Sequence, residues 1–210
     1  MSKMRHIVCT LDIGYPKVVT DITLPAMKAY SENIGAEFRI LSDRKFSELP
    51  LTQEKFQLYE LEADHITFLD VDALINPNAT DFSVVVPDAI VMAEILDGAD
   101  FTQDSIPGRE QFRVHSEFLS FSAANKFIVE PHADPMQYID QILNKNPEWQ
   151  LDEFVMSLNV LKHGADLIDL KRQFPNTIAH DGNYKTIEQK VEFLKQNQAV
   201  IKSQELLYYG

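Results

Sequence analysis

An α/β fold built on a largely parallel, helix-covered sheet is what this sequence predicts, and three observations predict it. Short β-rich apolar runs alternate with stretches of helical period from the first residues onward, as in a sheet whose strands are joined by crossover helices. The 210 residues, 45% of them hydrophobic, suffice for one well-buried core and are too few for two. The third apolar run stops on two aspartates, Asp70 and Asp72, and the carboxyl ends of strands are where such sheets bind ligands. No repeat, low-complexity tract or linker divides the chain, so residues 1–210 are expected to form a single domain. The apolar close Leu206-Leu207-Tyr208-Tyr209-Gly210 leaves room for a longer protein from which that domain is cut.

Taken in order, residues 7–11 form a buried strand that ends in the turn-prone Asp12-Ile13-Gly14-Tyr15-Pro16. Over residues 17–34 the apolar positions Val18, Ile22, Ala26, Ala29 and Tyr30 recur at helical spacing. Pro25 there marks a kink or a helix start near Leu24, and Gly35 a C-terminal stop. Residues 38–41 are a second strand. A helix over 47–62, started by Thr52, carries Lys55 and Phe56. Residues 65–69 form the third strand, ending on Asp70-Val71-Asp72. Further strands are expected at 89–93 and 118–121, and a long loop at 97–113 that could cover a site. Helices follow at 135–144 and 152–162, and short strands at 167–170 and 177–179. An amphipathic helix over 187–200 closes the chain, with Ile187, Val191, Leu194 and Ala199 inward.

Charge narrows the function. A net charge of −13 argues against a nucleic-acid surface, which needs lysines and arginines to neutralise phosphates. An acidic enzyme that handles diphosphates must screen its substrate locally, and a bound metal ion does so. The single cysteine, Cys9, excludes an internal disulfide and is read as a buried structural thiol. No apolar stretch approaches the roughly 20 residues of a membrane span, and no signal peptide precedes the first strand, so a cytoplasmic setting is expected.

The sharpest chemical feature is the pair of carboxylates at 70 and 72, set on a turn anchored by Val71. Hard cations such as Mg²⁺ and Mn²⁺ take oxygen ligands and bridge carboxylates to substrate phosphates. A lone Asp-x-Asp is weak evidence; one that ends an apolar strand and runs on into Ala73-Leu74-Ile75 is more specific. His180, after a short apolar strand and before Gly182 and Lys185, is a candidate third ligand, better suited to Mn²⁺ than to Mg²⁺. Trp149 stands before a helix and could stack on a sugar or cap the core. His115, His132 and His163 show no metal-like spacing and are read as structural.

Phe68-Leu69-Asp70-Val71-Asp72-Ala73-Leu74-Ile75 resembles the hydrophobic-Asp-x-Asp signature of GT-A glycosyltransferases, especially those similar to glycogenin and the bacterial galactosyltransferases. A narrower resemblance is to the N-terminal glycosyltransferase domain of large chlorella-virus proteins, which would make the enzyme viral and its setting the host cytoplasm. The resemblance implies the GT-A fold, a mixed but mostly parallel central sheet flanked by helices, and transfer of a sugar from a UDP-sugar donor to a glycan or glycoprotein acceptor. Glucose, galactose or a deoxyhexose such as rhamnose is the implied sugar, and retention of configuration the implied course.

Residue by residue, the resemblance implies that Asp70, Asp72 and His180 hold Mn²⁺ (or Mg²⁺). Thr10, Leu11, Asp12 and Tyr15 match the nucleotide-binding opening, and Lys55 matches a lysine about fifteen residues before the first aspartate. With Val71 and Lys185 these complete the expected nucleotide-sugar set. Lys185 lies one position nearer the histidine than the pattern requires. Asp152, then Glu153, match the acid that reaches donor or acceptor sugar. Glu117 stands where a glycine is usual and could set a carboxylate beside the sugar. Two other enzymes end an apolar strand on Asp-x-Asp or handle sugar nucleotides. One is a haloacid-dehalogenase-like phosphotransferase, whose motif closes the first strand, and the other a nucleotidyltransferase, which carries a glycine-rich loop. A catalytically silent sugar-nucleotide-binding module is the alternative from another class.

Overall fold

The computed structural model describes residues 4–97, 112–142, 146–180 and 186–208. The chain opens with β1 (His6–Leu11) and α1 (Lys17–Asn33). α1 runs on through Pro25, because the packing of Val19, Thr23, Ala26, Met27 and Tyr30 holds one face and offsets the roughly 3 kcal/mol that an internal proline costs. Gly35, at φ +70°, supplies the left-handed residue that ends this unit before β2 (Glu37–Leu41). The helix expected over 47–62 is instead a 3₁₀ stretch, Leu51–Glu60, entered from Pro50. Thr52 does not cap it; its hydroxyl donates to the Glu148 carbonyl at 2.9 Å.

Next come β3 (His65–Leu69), the two-residue β4 (Leu74–Ile75) and the single turn α2 (Phe82–Val85), capped by Asp81. β5 (Ile90–Asp97) and β6 (Phe112–Ser122) are longer than the runs at 89–93 and 118–121 suggest. Residues 98–111, most of the expected covering loop, lie outside the described residues. The segment expected to be helical over 135–144 is 3₁₀ at Pro135–Gln141. α3 (Leu151–His163), β7 (Leu167–Asp169), the one-turn α4 (Leu170–Gln173), β8 (Ile178–Ala179) and α5 (Ile187–Tyr208) complete the order. On α5, Leu194 is buried as expected, but Ile187 and Ala199 face solvent; Lys190 and Ile201 take the inward positions. Among the described residues no helix is long and apolar enough to cross a membrane.

The main sheet has the order β2-β1-β3-β6-β5-β7, with only β6 running against its neighbours. One face packs Ile7, Cys9, Ile66 and Phe68 against Phe56 and Leu58 of the 3₁₀ stretch and Val155 and Met156 of α3. The other sets Val8, Leu69 and Phe118 against α1 and Leu194 of α5. Cys9 lies inside the first layer, where burial pushes its thiol up to about 12. A buried polar chain crosses the sheet where β1 and β3 begin. His65 Nε2 meets Ser120 Oγ at 2.8 Å, Ser120 Oγ meets Thr67 Oγ1 at 2.9 Å, and Thr67 Oγ1 meets His6 Nε2 at 3.0 Å.

Candidate active site

The register of β1 and β3 decides where the chemistry gathers. Both strands run parallel with Thr10 opposite Leu69, so both stop at one edge, the Asp12 loop beside Asp70. The turn after β3 is closed by the Ala73 amide on the Asp70 carbonyl at 2.9 Å. From below, the Thr23 hydroxyl of α1 donates to the Val71 carbonyl at 2.6 Å, while Val71 itself is buried. A small second sheet brings in the histidine. β4 and β8 pair antiparallel, Leu74 with Ala179, and one step further along that register sets His180 across from Ala73.

Asp70, Asp72 and His180 thus converge, with one ligand atom from each lying within 4.8 Å of the others. His180 Nε2 is 3.4 Å from Asp72 Oδ1. The Tyr15 hydroxyl donates to Asp72 Oδ2 at 2.7 Å, fixing the carboxylate from behind as an outer-shell partner of a metal ligand does. Two carboxylates and an imidazole, so oriented, fit a divalent ion of the Mn²⁺ kind. Burial, opposed by Lys55 and reinforced by Asp72, holds the Asp70 carboxyl above its ordinary range. Burial acts the same way on Asp72, but hydrogen bonding and charge from His180, with Lys190 behind, hold it well below. At His180 burial disfavours the imidazolium, yet hydrogen bonds to Asp72 and Glu117 outweigh it and hold the ring up to about 9.

Beside this triad lies a buried charge network. Lys55 Nζ lies 3.0 Å from Asp70 Oδ1, 3.1 Å from Asp152 Oδ2 and 2.8 Å from Ser116 Oγ. Burial works against that ammonium, but Asp152 and Asp70 prevail and raise its pKa. Asp152 is 1% exposed; Oδ2 also accepts from Ser116 Oγ at 2.8 Å, and Oδ1 has no partner among the described residues. Glu153 accepts from Arg113 Nε at 3.1 Å and from the Ser116 amide at 3.3 Å; burial and Asp152 push its carboxyl up to about 8. Glu117 accepts from Lys171 Nζ at 3.1 Å and lies 3.7 Å from His180 Nδ1. Despite its burial, His180 and Lys171 hold it well below the usual carboxylate range.

Asp70, Val71, Asp72, Lys55, His180, Asp152, Glu153, Glu117 and Tyr15 are therefore brought to one sheet edge. Thr10 and Leu11 end β1 at that edge, and the Thr10 hydroxyl is buried without a partner among the described residues. Asp12 follows, its amide on the Leu41 carbonyl at 2.9 Å. Lys185 lies outside the described residues. Three site residues escaped the sequence reading. Lys190 of α5 reaches Asp72 Oδ2 at 3.0 Å. Arg113, at the end of the expected loop 97–113, and His115, read as structural, lie on β6 with Glu117. Arg113 Nη2 donates to His115 Nε2 at 2.7 Å, and His115, Glu117 and Glu153 form a second close cluster. Alternation on β6 is the signal that could have found them: positions 113, 115 and 117 share one face of a strand.

Five parallel strands, one reversed strand and an Asp-x-Asp turn at the carboxyl edge make the GT-A architecture. Solved glycosyltransferases share it. A glycosyltransferase involved in glycosylation of the major capsid of PBCV-1 matches with TM-score 0.55 at 10% identity, over 91% of this chain and 99% of that one. The catalytic domain of Drosophila beta1,4galactosyltransferase 7, complexed with xylobiose, matches with TM-score 0.52 at 12% identity, over 91% of this chain and 79% of that one. No family model and no curated protein sequence matches the chain.

Proposed function

We propose that the chain is a metal-dependent glycosyltransferase that moves a hexosyl group from a UDP-sugar to a glycan hydroxyl. The observation that carries this reading is the convergence of Asp70, Asp72 and His180 at the carboxyl edge of a GT-A sheet, with a buried lysine against the first aspartate. Asp70, Asp72 and His180 would hold the ion, which when bound supplies positive charge to the departing diphosphate. Lys55, fixed by Asp70, Asp152 and Ser116, adds charge to the same region without having to reorganise. Asp152, held between Lys55 and Ser116, adds negative charge that supports the cation-like sugar of the transition state. Glu117, paired to Lys171 and close to His180, limits the space beside the ion and acts through them.

The glycogenin-like motif supports retention of configuration, and the xylobiose complex of the Drosophila neighbour supports a saccharide acceptor. The haloacid-dehalogenase alternative is disfavoured because the Asp-x-Asp here closes the third strand. The decisive experiment screens UDP-sugars by thermal shift and UDP release, with and without Mn²⁺, on the wild type and Asp72→Ala. Stabilisation that requires metal and vanishes in the variant supports the reading. Binding without turnover would make the chain a sugar-nucleotide-binding module, and no binding of any UDP-sugar with metal present would overturn the proposal.

A further inference from the structure

Lys190 sits where a lysine is costly. It belongs to the first turn of α5, its amide on the Thr186 carbonyl at 3.2 Å, and the positive end of a helix dipole opposes an ammonium there. Its side chain is only 5% exposed, and a buried charge needs a partner. Asp72 provides one, with Nζ 3.0 Å from Oδ2. The Tyr15 hydroxyl donates to that same oxygen, so two donors occupy Oδ2 and leave Oδ1, on the His180 side, for an incoming ion.

We propose that Lys190 couples the metal ion to the diphosphate, opposing binding of the ion alone and favouring the ion and nucleotide together. The inference rests on reading the site as a metal–diphosphate site. An ammonium held on one ligand carboxylate drains that ligand's charge and repels a dication a few ångströms away. A diphosphate arriving with the ion reverses the balance, since its negative charge then lies within Coulombic reach of the same ammonium. Lys190 therefore acts with opposite sign on the two ligands. A lysine that merely packs α5 onto the sheet would, when removed, weaken both.

The test compares wild type, Lys190→Met and Lys190→Arg, with folding checked by thermal unfolding. Mn²⁺ alone is titrated by electron paramagnetic resonance, and UDP at saturating Mn²⁺ by calorimetry. In Lys190→Met, Mn²⁺ alone should bind about tenfold tighter and UDP about tenfold weaker, the scale of outer-shell effects on metal sites. Lys190→Arg should stay within about threefold of wild type on both. If Lys190→Met does not fold, Lys190→Gln, which keeps a donor for Asp72 without the charge, carries the same expectation. Weakening of both ligands, or no change in either, overturns the coupling. If wild type binds Mn²⁺ but no UDP, the metal–diphosphate reading itself fails, an outcome distinct from failure of the Lys190 inference alone.

Discussion

Acid should loosen this fold through one residue that lies outside the candidate site. His65 is buried at the start of β3, its ring edge-on to His6 with centroids 4.8 Å apart, its Nε2 on Ser120. Burial, and next the neighbouring His6, lower its pKa from 6.5 to about 4. The unfolded chain therefore takes up a proton between those values that the folded chain refuses. The stability His65 contributes is complete above pH 6.5 and is lost as pH falls toward 4. At about 1.4 kcal/mol for each pH unit between the two pKa values, the loss amounts to roughly 3 kcal/mol, most of it spent by pH 4.5. The assay is urea unfolding of wild type and His65→Gln from pH 7 to 4.5. Other groups titrate in both proteins, so the informative quantity is the difference in unfolding free energy between them. Glutamine keeps a donor near Ser120 but cannot charge, so this difference should shrink by about 2–3 kcal/mol as pH falls. A difference independent of pH would refute the reasoning.

Two further outcomes follow from the site. Lys55→Met removes the cation shared by Asp70 and Asp152 and leaves buried carboxylates uncompensated, so the protein should lose about 3–5 kcal/mol in urea unfolding. Trp149, the single tryptophan, is 71% exposed on the turn three residues before Asp152. Its emission should be red-shifted and readily quenched by acrylamide, and Trp149→Ala should change stability by no more than about 0.5 kcal/mol. A blue-shifted, protected emission would contradict that placement.

The legible parts of this chain are those whose pattern is local. The alternation of apolar strands and helical stretches yields the layered sheet, and the reversal of β6 is hidden because an antiparallel strand buried on both faces reads like its parallel neighbours. Asp70 and Asp72 stand out because the apolar run of β3 ends on them. The gathering of Lys55 and His180 beside them is suggested by motif spacing alone and is made by register, of β4 with β8 in the case of His180. Lys190 was invisible for a plain reason: a lysine on a polar-looking helix face carries no mark that it points inward. The 3₁₀ stretch Leu51–Glu60 has helix-forming composition, and only Pro50 and the diversion of Thr52 to Glu148 distinguish it from an α-helix.

The reversed strand has a consequence for how this protein can change. Because β6 runs against its neighbours, with Phe118 opposite Leu69, residues 113–117 continue past the end of β3 as a strand wall beside the site. Arg113 and His115 pair with Leu96 and Glu94 of β5, the register then shifts between Met92 and Glu94, and the Asp70 amide donates to the Glu117 carbonyl at 2.9 Å. Loop-borne residues drift when a neighbour is replaced; Arg113 and His115 are tied to β5 and Glu117 to the Asp70 amide. If the proposed function holds, exchanging side chains along that wall would retool what the site accepts while the aspartate turn opposite stays put, which makes β6 the place to begin when redesigning its selectivity.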